Sequence, residues 1–182
     1  MIEHFNELDR PLLKKTTLIL TIIFALLLSG CQPDRSDDFA IYLLAQDISA
    51  VEVAQIDIDQ LALESEPIIA SDDIISYNKA NHMIELTSAA YTRVQQLFQM
   101  TVGVDGTPFV VCVGKERIYS GGFWTPLSSL SYDGIVIMQP WDTKEPTIQI
   151  ALGYPTPNFF TGNDPRADPQ ILNALEQANK LK

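Results

Sequence analysis

Apolar residues along this chain fall into many short runs, and their spacing decides what each run predicts. The longest, Thr16 to Leu28, is thirteen residues of apolar side chains and threonine. That is short for a membrane span, which needs roughly 20 residues to cross about 30 Å of hydrocarbon. From Phe39 onward the runs have strand length, and Phe39 to Leu44 predicts the first strand. Asp47 to Asp73 reads two ways: Val51, Val53, Ile56, Ile58, Leu61 and Leu63 alternate in places and suit a helical face in others. A short helix near Ser49 to Gln55 and a strand around Leu61 to Glu64 follow from that stretch. Ser71-Asp72-Asp73 opens a brief helical turn, with side chains able to cap free amides. Met83 to Leu86 predicts a strand and Thr87 an N-cap. Ala90, Tyr91, Val94, Leu97 and Phe98 then mark one face of a helix.

In the second half, Phe109 to Val113 and Glu116 to Tyr119 predict a hairpin. Gly114-Lys115 places glycine first, as a type II′ turn requires. The first of these strands is apolar at every position, which predicts a central strand covered on both faces. Gly121-Gly122 is expected to break the second strand or form a bulge. Ile135 to Met138 and Thr147 to Leu152 predict two further strands. Gly153 to Pro169 holds four prolines and reads as irregular. Asp168-Pro169 then starts a last helix to about Lys180, with Ile171, Leu172, Leu175 and Ala178 on one face. The expected fold is α+β: a mixed or antiparallel sheet of about five or six strands, with the helices from Thr87 and Asp168 packed on it.

The first thirty residues are read differently. Arg10, Lys14 and Lys15 precede the Thr16 to Leu28 run, and Leu28-Ser29-Gly30-Cys31 follows it. Small residues there let the backbone enter a peptidase cleft. Leu28-Ser29-Gly30-Cys31 in this setting resembles the bacterial lipobox. The resemblance implies that residues 1–30 are a signal, cut before Cys31, and that Cys31 carries lipid. Gln32 rather than Asp after the cysteine resembles the pattern for release to the outer membrane of a two-membrane bacterium. Residues 31–38 would then be the acylated cysteine and a polar tether, and residues 39–182 a single globular domain. The localisation so implied is a bacterial cell membrane or outer membrane, with the domain on the extracytoplasmic side.

Charge sharpens this picture. The chain holds 12 Lys and Arg against 23 Asp and Glu, a net of −11. Residues 1–30 carry three of each sign, so the whole surplus lies beyond them. Such a domain is a poor nucleic-acid binder, because phosphate contacts need cations. It is repelled by anionic headgroups, so the lipid on Cys31 would have to hold it at the bilayer. With Cys31 assigned to lipid, Cys112 is left without a disulfide partner and reads as a small buried core residue.

Groups able to do chemistry are sparse. His82 is the one histidine beyond residue 30, and a metal site usually gathers several His, Cys or carboxylate ligands. Asp57 with Asp59, Glu64 with Glu66 and Asp72 with Asp73 are paired acids. They sit in a field of eleven acids and one base between residues 34 and 73, where pairs arise by chance. Asn163, Asp164 and Asp168 offer oxygens but lack the spacing of a calcium loop. No catalytic residue, metal ligand or cofactor is assigned.

Aromatic residues concentrate in the second half. Phe123, Trp124, Trp141, Phe159 and Phe160 adjoin loops with glycine and proline, and they are the candidate partner-binding residues. The alternative is that they fill the core. If the Phe123-Trp124 segment stays extended, only one of the two can face a single sheet interior.

Residues 82–140 also resemble the first periplasmic domain of the SecD protein-export subunit. The similarity rests on Ile84-Glu85-Leu86-Thr87 leading into a helix, Asp105-Gly106, the strand from Phe109, Glu116-Arg117-Ile118-Tyr119, Pro126 and the strand from Gly134. It implies a ferredoxin-like β-α-β-β unit that contacts polypeptides or neighbouring subunits, and no catalytic residue. The function expected is therefore a membrane-anchored envelope lipoprotein acting as a non-catalytic protein-binding or assembly module. The alternatives are a small-ligand or ion-binding lipoprotein and an envelope hydrolase.

Overall fold

A computed structural model describes residues 38–140 and 145–182. The expected signal, Cys31, nearly all of the expected tether and Trp141 lie outside these residues. Eight strands form one mixed, curled sheet, a half-barrel. They are β1 (Phe39–Leu43), β2 (Ile69–Ala70), β3 (Ile74–Asn78), β4 (Met83–Leu86), β5 (Thr107–Val113), β6 (Glu116–Trp124), β7 (Tyr132–Met138) and β8 (Thr147–Tyr154). Their order is β2-β1-β5-β6-β7-β8-β4-β3, with β6 and β7 parallel and every other pair antiparallel. Among the described residues three small helices accompany them: α1 (Ala50–Val53), α2 (Ser88–Met100) and α3 (Pro169–Gln177).

This corrects the expected α+β fold of five or six strands with two main helices. The additional strands are β2 and β3. β2 lies in the stretch whose apolar residues keep no single period and pairs with β1, some thirty residues earlier, whereas β3 pairs with β4 across the short turn between Asn78 and Met83. The ferredoxin-like unit is not formed either. It would need β4 beside the β5–β6 hairpin, and β7 and β8 stand between them.

Where the local signals were strong, they act as chemistry dictates. Thr87 and Asp168 cap their helices by accepting the amides of Ala90 and Gln170. The predicted α2 face, Ala90, Tyr91, Val94, Leu97 and Phe98, is the buried one. Gly114 takes φ +58° while Lys115 keeps a negative φ. A type I′ turn needs positive φ at both positions, so the pattern is that of II′. β5 is indeed covered on both faces. Phe109, Val111 and Val113 join the main core under α2 and α3, while Val110 and Cys112 face a second cluster with Val53 and Leu61.

Gly121-Gly122 does not break β6, which runs unbroken to Trp124. The irregularity lies earlier, where Ile118 is extra opposite the Val111–Cys112 step. The glycines serve close packing instead. A Cβ on Gly121 would meet the Phe109 ring at 2.5 Å, and one on Gly122 would meet Ala50 at 2.7 Å.

Candidate functional site

The predicted aromatic surface is mostly core. Phe123 and Trp124 remain in an extended strand and are both fully buried. The expectation that only one could be covered fails because the sheet is covered on both faces here. Phe123 packs edge-on against Phe98 and Phe109 on the helix side. Trp124, on the other face, stacks on Tyr132 at 4.9 Å between ring centres and lies against Tyr154 at 5.7 Å. Phe160 packs partly buried on the main core, whereas Phe159 is exposed. Phe123 and Trp124 therefore present no surface to a partner, and Trp141 falls outside the described residues.

The exposed apolar side chains are the neighbours of these aromatics. Leu127 is 81% exposed, and Leu130, Val104 and Val51 are also exposed. Hydrogen bonds of Ser128 and Ala50 bring their segments to one end of the sheet. Ser128 is buried; its Oγ donates to the carbonyl of Val104 and accepts the Leu130 amide at 3.2 Å. The Ala50 amide donates to the Gly106 carbonyl at 3.2 Å, which brings α1 and Val51 alongside. Ser128, one of the clustered serines, thus fastens a loop.

A groove of about 530 Å³ opens at this same end, between the segment after β1, the start of α1 and the turn before β5. Asp47, Glu52, Glu64 and Asp105 line it, and no lysine, arginine or histidine does. Glu52 is spent on the α1 cap, accepting the Ser49 amide and hydroxyl, each at 2.8 Å. That engagement holds its carboxyl below the ordinary range. A second hollow of about 380 Å³ beside β3 and β4 differs, because its charges are paired. There Lys182 Nζ lies 3.3 Å from Glu85 Oε2, which also accepts from Ser76 Oγ at 2.8 Å.

His82 belongs to an interior polar cluster. Its Nδ1 lies 2.9 Å from Tyr77 Oη, which is 3.3 Å from the Arg166 carbonyl. Both contacts are satisfied together when Nδ1 carries the proton and donates to Tyr77, which donates onward. Arg166 grips Asp164 through Nε at 2.9 Å and Nη2 at 2.7 Å, and its Nη1 reaches the Ile150 carbonyl at 2.8 Å. The Asp164 carboxylate is thereby occupied, and Asp168 is spent on the α3 cap. Neither is free for a cation. The other acid pairs are likewise divided: Asp57 accepts the Asp59 amide, and Asp73 takes Arg93 and the Ala70 amide. Among the described residues, no group of three or more His, Cys, Asp or Glu is placed to hold a metal ion. Burial pushes the Cys112 thiol up to about 11, which makes it inert near neutrality.

The His82 cluster predicts a pH dependence. Burial, then the Arg166 charge, holds the imidazole below the ordinary histidine range, against the pull of Asp164. Burial pushes Tyr77 up to about 12, so it faces the imidazole uncharged. The unfolded imidazole protonates near pH 6.5, at roughly its unperturbed value. Above that pH the folded state has its full advantage. Below it, the unfolded chain binds more protons and stability should fall. Asp164, held low by Arg166, adds a further loss only as pH falls through 3.8 and below. Melts of the native protein between pH 7.5 and 5 should show the decline, and His82→Asn should flatten it. Asparagine tolerates the φ of +55° at this position. An unchanged slope in the variant would reject the assignment to His82.

Nothing local in the sequence marks the groove, because its acids are spread from Asp47 to Asp105 and come together through the β1–β5 pairing and the contact of Glu64 with the end of β1. The one legible signal was the acid-rich field itself. Comparison with protein-family models, with curated proteins and with solved structures finds no match for the chain.

Proposed function

We propose that this chain is a lipid-anchored protein of the bacterial envelope whose domain is a non-catalytic binding module, engaging a partner protein through the end of the sheet that carries Leu127. The observation behind it is the exposed apolar group of Leu127, Leu130, Val104 and Val51, held together by the Ser128 and Ala50 contacts. Exposed apolar residues that cluster mark interaction surfaces, whereas scattered ones need no explanation.

Direction supports this reading. The described chain begins at Asp38, whose carbonyl accepts the Gly114 amide at the hairpin end of β5 and β6. Leu127 follows the opposite end of β6, nine residues away, or roughly 30 Å at strand spacing. A lipid on Cys31, reached through seven residues spanning at most about 25 Å, would hold the hairpin end nearer the bilayer. The apolar end would then point toward other proteins.

Two measurements test the proposal. Cys31→Ser should abolish incorporation of labelled palmitate and leave unprocessed precursor; normal processing of the variant would defeat the anchor. A photoreactive amino acid at position 127 should give discrete crosslinked protein bands in cells, and one at Lys115 should not. Equal crosslinking from both positions would defeat the assigned face.

A further inference from the structure

We infer that the partner segment recognised at this end is both basic and apolar: an extended stretch that sets lysine or arginine side chains into the groove and lays neighbouring apolar side chains on its rim. This rests on the reading of the Leu127 end as the binding face, and it adds the chemistry of what binds.

Charge and shape carry the inference together. The carboxylates of Asp47, Glu64 and Asp105 are exposed and make no hydrogen bond or ion pair with the described residues. No cation lines the groove, in contrast to the paired charges of the hollow beside β3. The acids are not grouped to chelate one metal ion. Charges spread along a groove are matched by a ligand with spaced positive charges, held by weak attractions that add. Exposed apolar residues adjoin the groove's lining in the chain: Val104 stands between Gly103 and Asp105, and Val51 next to Glu52. Leu127 and Leu130 join them through the Ser128 contact. A purely cationic ligand would leave those side chains in water, and a purely apolar one would bury three carboxylates without partners.

The test uses the full chain in phosphatidylcholine nanodiscs, with empty discs as the reference. The probes are a twelve-residue peptide alternating lysine and leucine, its glutamate and leucine counterpart, and spermine. The lysine peptide should bind, and more than tenfold tighter than either other probe. Asp47→Asn with Glu64→Gln and Asp105→Asn should weaken it about tenfold. Leu127→Ser with Leu130→Ser should weaken it by a similar factor. All five positions are exposed, and unchanged melting temperatures will confirm that the variants fold. Added salt should weaken the native protein's binding and leave the triple variant nearly unaffected. Equal affinity for the glutamate peptide or for spermine, or full affinity in the triple variant, would overturn the inference. If no probe binds while position 127 still crosslinks in cells, the basic and apolar chemistry is rejected and the binding face stands. If the crosslinks also fail, both fall.

Discussion

Trp124→Ala should cost about 3–5 kcal/mol of unfolding free energy, the range for removing a large buried aromatic. The indole is fully buried and sits between two strands' worth of aromatic contact, stacked within 14° of parallel on Tyr132 and tilted against Tyr154. Its ring lies over Gly122 and Gly106, and Ala50 closes the cluster from α1. Glycine and alanine around it cannot move in to refill the space, so a cavity would remain. Trp124→Phe should cost less, because it keeps an aromatic ring on Tyr132 and removes an indole N–H that makes no hydrogen bond among the described residues. Urea unfolding of the three proteins measures both steps. A loss below about 1 kcal/mol for the alanine variant would return Trp124 to the surface, contrary to its packing.

Gly121→Val is the second large effect, expected at about 3 kcal/mol, the upper part of the range for overpacking. A Cβ there would meet the Phe109 ring at 2.5 Å and the Ile135 carbonyl oxygen at 2.6 Å. The ring is locked between β5 and Phe123, with 5.2 Å between their centres. The carbonyl belongs to the parallel partner strand in direct register, Gly121 against Ile135. Neither can yield without opening the β6–β7 pairing. The variant should lose denaturant stability and show faster amide exchange along β7. If stability holds within about 1 kcal/mol, β6 and β7 are not packed at this distance.

Trp124 and Gly121 also show how far the sequence can be read. Glycine in a strand signals either an interruption or a close approach, and the residue itself carries no mark to separate them. The interruption was expected, and the approach is what the fold contains. Phe123-Trp124 failed for a related reason. The alternation rule holds for a sheet with one dry face, and here α2 and α3 cover one side while α1 and the loop after β6 cover the other. The aromatics expected to form a partner surface are therefore buried, and the exposed Leu127 and Leu130 lie in the loop that follows them.

Local chemistry decided what local sequence could decide. Thr87 and Asp168 predicted helix starts because a side-chain oxygen three residues or fewer from a free amide needs no distant partner. The α2 face, the Gly114 turn and the buried Cys112 were legible for the same reason: period, turn geometry and hydrophobicity are properties of a few adjacent residues. Tertiary structure alone decided the rest. β2 exists because β1 offers it hydrogen bonds, not because Ile69-Ala70 demands a strand. The single parallel pair, β6 with β7, follows from which edges remained open once the hairpin had formed. The acids of the groove acquired a common surface, and the Tyr77–His82 pair acquired Arg166, only when segments far apart in the chain were brought side by side. A pairing energy between distant residues is not written in either residue's neighbourhood, and that is why the groove was not legible in the sequence.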